Sequence, residues 1–131
     1  MKKTLILAVL ALMSVTVVVA QKAEVLYFKA DMPCCKARAC NNLEADIKAV
    51  VEKNYPKGDV VFKQVRIADE ANKALVEKHQ AKAQTIVIVG KKKKKKQQAI
   101  DVSEVVRGCV RSGDKTELET KLVEAINKAI K

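Results

Sequence analysis

Aromatic side chains are scarce in this chain. Tyr27, Tyr55, Phe28 and Phe62 are the whole set, and there is no tryptophan. A nucleic-acid surface needs stacking platforms among its basic residues, so no nucleic acid is expected as a partner. Histidine is almost missing too. His79 stands alone at the end of a short polar stretch, with no neighbour to make it a ligand or a base, and reads as a surface residue. Glycine is too sparse for a phosphate-binding loop, and no serine lies in order with a histidine and an acid. If the chain is an enzyme, its chemistry belongs to sulfur.

Charge of one sign dominates, but locally. The net charge is +11; taking away residues 1–20, with Lys2 and Lys3, leaves +9, and taking away the run Lys91 to Lys96 as well leaves +3. The run is expected at a hairpin tip, as a solvated turn of self-repelling charge. Its functional alternative is contact with an anionic membrane surface or an acidic partner, at about 1 kcal/mol per lysine close to such a surface.

Residues 1–20 have the form of a secretory signal. Lys2 and Lys3 give the positive start, Leu5 to Val19 the apolar core, and Val18 and Ala20 a small-residue cleavage site before Gln21. The apolar run is slightly short for a membrane anchor. Cleavage leaves residues 21–131 as a single domain with one modest core, exported and, in a bacterium, periplasmic.

Within that domain, residues 24–29 read as a buried strand. Leu43, Ile47, Val50 and Val51 then recur at helical spacing up to Asn54. Residues 60–67 give a second strand, and 69–80 a short helix with Ala71, Ala74 and Leu75 inward. Residues 85–89 and 97–102 form an expected antiparallel hairpin, followed by a short helical piece over 103–111. A capping box at Thr116 and Glu119 opens a closing helix with Leu118, Leu122, Ile126 and Ile130 as its stripe. The order β-α-β-α-β-β-α predicts an α/β domain whose four-stranded mixed sheet is flanked by helices. The helix between the first two strands makes them parallel.

Three of the four cysteines, Cys34, Cys35 and Cys40, fall between the first strand and the first helical pattern. Adjacent cysteines point apart in most backbones, so a Cys34–Cys35 bond requires a strained ring. Two placements are open. A helix beginning at Asn41 or Asn42, capped by Asn41 with Glu44, leaves residues 34–40 as a loop whose three sulfurs converge at the helix N-terminus. A helix beginning at Cys35 instead separates Cys35 and Cys40 by roughly 140° and turns Cys40 toward the Leu43 and Ile47 face. Three thiolates without histidine or carboxylate suit a soft ion such as As(III) or Sb(III), whereas zinc prefers four ligands. Lys36 and Arg38 either stabilise the thiolates or are plain solvated charges. Free thiols outside the cytoplasm tend to oxidise. Thiol–disulfide exchange with a redox partner, with Cys34 and Cys35 as its catalytic thiols, and a non-catalytic domain with a structural disulfide therefore stay open beside ion binding. Cys109, after Gly108, reads as a packed small residue, or else as an accessory thiol bridged to the cluster.

The element order is that of the thioredoxin fold, and the chain resembles thioredoxin-like proteins over nearly all of residues 21–131. It departs from the redox members at two places. Met32 stands where the first cysteine of a CxxC belongs, and Gln84-Thr85 where a cis-proline precedes the third strand. The run Cys34-Cys35, Lys36-Ala37-Arg38-Ala39, Cys40 is similar to the CC-x4-C cluster of the ArsD-type arsenic metallochaperones. The whole chain resembles the ArsF family, small exported thioredoxin-like proteins found with arsenic-resistance genes, which usually keep a CxxC. The resemblance implies a metalloid site at Cys34, Cys35 and Cys40, and a redox partner or metalloid transporter as its contact.

Overall fold

The computed structural model describes residues 20–32, 34–91 and 97–131, with the helix backbone alone over 34–37. The expected leader, apart from Ala20, and the lysine run beyond Lys91 lie outside the described residues. Strand β1 (Ala23–Lys29) leads into helix α1 (Cys34–Asn54), and β2 (Val60–Arg66) follows. A 3-10 turn at Glu70–Asn72 opens the short α2 (Lys73–Lys78). The chain closes with β3 (Thr85–Gly90), β4 (Gln98–Asp101), α3 (Ser103–Ser112) and α4 (Lys115–Ile130).

The four strands form one mixed sheet in the order β2-β1-β3-β4. β1 runs parallel to β2, with Ala23 opposite Val60 and Lys29 opposite Arg66. It runs antiparallel to β3, with Ala23 opposite Gly90 and Phe28 opposite Thr85. β3 and β4 are antiparallel as well. The two central strands explain their own composition: a strand covered on both faces reads as a continuous apolar run. Ala23, Val25, Tyr27, Ile86 and Ile88 face the larger core with Leu43, Ile47, Leu122 and Ile126. Leu26, Phe28, Val65, Val87 and Val89 face the smaller one, where Ile67, Leu75, Val76 and Ala81 pack. Helices α1, α3 and α4 therefore cover one face and α2 the other.

Two local expectations are corrected. In the 69–80 segment, Ala71 and Ala74 are exposed, while Leu75 and Val76 are half-buried. The first turn is 3-10, tied down by Asn72 Nδ2 donating to the Arg66 carbonyl at 2.9 Å, so only the adjacent pair reaches the small core. The closing helix is capped by Asp114, not by a Thr116–Glu119 box: Asp114 Oδ1 accepts from the Glu117 amide at 2.9 Å. Gly113, at φ 71°, ends α3 in the left-handed conformation, so the chain re-enters a helix at once. Glu119 turns instead to α1, accepting from Lys53 Nζ at 2.9 Å and Asn54 Nδ2 at 3.1 Å. α4 lies so close to the sheet that a Cβ at Gly90 would collide with the carbonyl oxygen of Ala129.

Candidate functional site

The site is the corner where β1 ends and α1 begins. Helix α1 starts at Cys34 and not at Asn41. Alanine, lysine and arginine at 36–39 favour helix, and Cys40 falls three residues before Leu43 and seven before Ile47, continuing the inward stripe. Asn41 and Asn42 are exposed inside the helix, and Glu44 pairs with Lys29 Nζ at 2.9 Å instead of capping. On this backbone, Cys34 and Cys40 are separated by about 9 Å along the helix axis, at 1.5 Å per residue. The side chains of Cys34 and Cys35 lie outside the described residues.

Cys40 is 4% exposed, and three groups from three segments hold it. The Tyr27 hydroxyl, reaching over from β1, donates to its carbonyl at 3.1 Å. Its thiol donates to Met32 Sδ at 3.6 Å. Gln84 Nε2 donates to its sulfur at 2.8 Å. Cys40 is therefore buried but not dissolved in the apolar cores: its sulfur faces a thioether and an amide at the end of the two central strands. Burial, then the proximity of Cys40 and Glu44, pushes the Tyr27 phenol above its ordinary range, so it stays a hydrogen-bond donor.

Gln84 is held in an unusual conformation for this task. Its φ is 63°, in the left-handed region that costs a non-glycine residue roughly 1–3 kcal/mol. Its amide donates to the Phe28 carbonyl at 2.9 Å, and Thr85 Oγ1 accepts from the Lys82 amide at 2.9 Å. The tight turn before β3 thereby aims the Gln84 side chain at α1.

The remaining candidates lie apart. Cys109 is a free, buried thiol on α3 within the larger core, beside Val106 and Leu118, and burial pushes it up from the ordinary thiol value. His79 is half-buried, contrary to the surface expectation, with its ring 6.0 Å from that of Phe28. Burial, with Lys78 beside it, lowers its pKa. A groove of about 870 Å³ between the end of α1 and α4, lined by Asn54, Glu119 and Asn127, contains no cysteine. Among the described residues no group of three or more His, Cys, Asp or Glu is placed to hold a metal ion. None of their helices is long and apolar enough to cross a membrane.

Met32 and Gln84 are the residues that sequence reasoning did not identify as part of the site. Each had been singled out only for what it replaced, Met32 for a cysteine and Gln84 for a proline. Their shared contact, Cys40, is what joins them.

No protein-family model matches the chain, and no curated protein does. Among solved structures, that of a malarial protein is similar at 21% identity over 70% of this chain and 97% of that one, with a TM-score of 0.42. A likeness that low carries neither fold nor function across.

Proposed function

We propose that this is an exported, thioredoxin-fold thiol protein that binds a trivalent soft ion, As(III) or Sb(III), through Cys34, Cys35 and Cys40. The strand order β2-β1-β3-β4, with its one parallel and two antiparallel pairings, supports the fold. The observation that carries the function is the setting of Cys40, whose sulfur is turned to Met32 and Gln84 at the corner where the vicinal pair begins α1. The CC-x4-C spacing shared with ArsD-type metallochaperones adds to it. In the closed helix the three residues are too far apart along the axis to share one ion, so binding opens the first turn. That turn is among the least costly to open, because only its carbonyls, and not its amides, take part in the helix ladder. In this reading the contacts are a metalloid transporter or a redox partner in the periplasm, with the lysine run available to an anionic membrane surface.

A second reading has its own observation. α1 begins at Cys34, so the helix dipole favours thiolates at the vicinal pair, as thiol–disulfide exchange requires. Mass spectrometry of the reduced protein with arsenite separates the two. One ion per chain is expected, with binding weakened at least tenfold by each of Cys34→Ser, Cys35→Ser and Cys40→Ser, since a hydroxyl is a harder donor than a thiolate. Wild-type binding by Cys40→Ser would refute the three-thiolate site and leave the redox reading.

A further inference from the structure

Met32 is not a ligand of the trivalent site, yet its sulfur lies 3.6 Å from that of Cys40. We propose that Met32 Sδ and Cys40 Sγ form a second mode of the same corner: a thioether–thiolate site for a monovalent soft ion of the Cu(I) class, occupied with α1 closed. The proposal shares Cys40 with the trivalent reading but needs neither the other two cysteines nor an opened turn.

The geometry points to this ion class. The two sulfurs are 3.6 Å apart. An ion bonded to both at about 2.3 Å, an ordinary metal–thiolate length, subtends roughly 100° between them. That bite suits a three-coordinate ion with one position left for a further sulfur. It does not suit a linear ion, unless the Met32 side chain, flexible at three bonds and half-buried at the loop edge, swings outward. Thioether and thiolate together select Cu(I) among the first-row metals. A thioether is neutral and cannot replace one of the thiolates that As(III) requires, so Met32 discriminates between the two ions.

The surroundings complete the site. Gln84 Nε2, 2.8 Å from the Cys40 sulfur, is an outer donor that fixes the ligand's orientation. The Tyr27 hydroxyl on the Cys40 carbonyl anchors the same residue from the sheet side. Cys40 is only 4% exposed and Met32 is half-buried, so of the two ligands Met32 is the more accessible to an arriving ion. No electron transfer is involved: the Cys40 thiol gives up its proton to solvent, and the ion arrives already monovalent.

The test is a competition titration of the reduced protein with Cu(I) against a colorimetric Cu(I) chelator, run beside arsenite binding. Met32→Leu conserves volume and is expected to fold normally, which far-UV circular dichroism checks. Added to Cys34→Ser/Cys35→Ser, which removes the competing vicinal thiolates, it is expected to weaken Cu(I) at least tenfold; alone, it is expected to leave arsenite binding at wild-type strength. Cys34→Ser/Cys35→Ser itself should still bind one Cu(I) and lose arsenite. Undiminished Cu(I) affinity when Met32→Leu is added to that double variant overturns the proposal while leaving the trivalent site intact. Undiminished arsenite binding in Cys40→Ser overturns the trivalent site, and the Met32 result still decides this one.

Discussion

Gly90→Ala and Gly108→Ala make the same chemical change and are expected to act with opposite sign. At Gly90, on β3, the added methyl collides with the carbonyl oxygen of Ala129, and the obstacle is backbone. That carbonyl cannot swing aside, because Ala129, Ile126 and Leu122 are buried against the sheet. α4 must lift or β3 must bow, and overpacking of this kind costs about 2–3 kcal/mol. At Gly108, inside α3, nothing lies within 4 Å of the new methyl. There the gain in helix propensity stabilises by about 0.5–1 kcal/mol. For a domain of this size the first change lowers Tm by roughly 8–12 °C, at about 4 °C per kcal/mol. Urea unfolding reads both: the midpoint shifts in opposite directions while the slope stays constant. A Gly90→Ala protein within 0.5 kcal/mol of wild type would show that α4 does not sit on β3 as described.

Three further expectations concern the scaffold and the corner. Asp114→Ala removes the acceptor for the Glu117 amide and is expected to cost about 1 kcal/mol, read by urea unfolding; Thr116→Ala, outside the observed cap, should cost less. Tyr27→Phe loses the hydrogen bond to the Cys40 carbonyl, at about 1 kcal/mol. The phenol's pKa is raised from 10.0, so both folded and unfolded chains hold the proton below pH 10, and the stabilisation is complete there. Above pH 10 the unfolded chain ionises first, and stability falls as pH rises; the fall should be shallower in Tyr27→Phe. Gln84→Gly relieves the left-handed backbone and Gln84→Ala does not, while both lose the contact with Cys40. The glycine variant should therefore be the more stable of the two by about 1 kcal/mol in thermal unfolding.

The sheet was legible because its central strands are covered on both faces. A run such as Thr85 to Val89 has no solvent side, and its continuous apolarity leaves few alternatives. The start of α1 was not legible. Residues 34–40 suit a helix by propensity, while Asn41 offers a competing cap, and the choice depends on Cys40 finding a buried place beside the sheet. The cap of α4 failed for a related reason. Both Asp114 with Glu117 and Thr116 with Glu119 have capping spacing, and the left-handed Gly113 selects the first. The grouping of Met32, Cys40 and Gln84 was hidden by distance, because Gln84 lies 44 residues from Cys40 in the chain. Its amide is brought to the sulfur only by the turn before β3 and the pairing of β3 with β1.

In the proposed reading, Cys34, Cys35 and Cys40 together hold one trivalent ion. Arsenic-edge X-ray absorption on the reduced protein loaded with one equivalent of arsenite counts the neighbours of the bound ion directly. Three sulfurs and no oxygen in the first shell are predicted, falling to two sulfurs with one oxygen in Cys40→Ser. Two sulfurs with an oxygen already in the wild type would contradict it, leaving Cys40 outside the site and the ion on the vicinal pair alone.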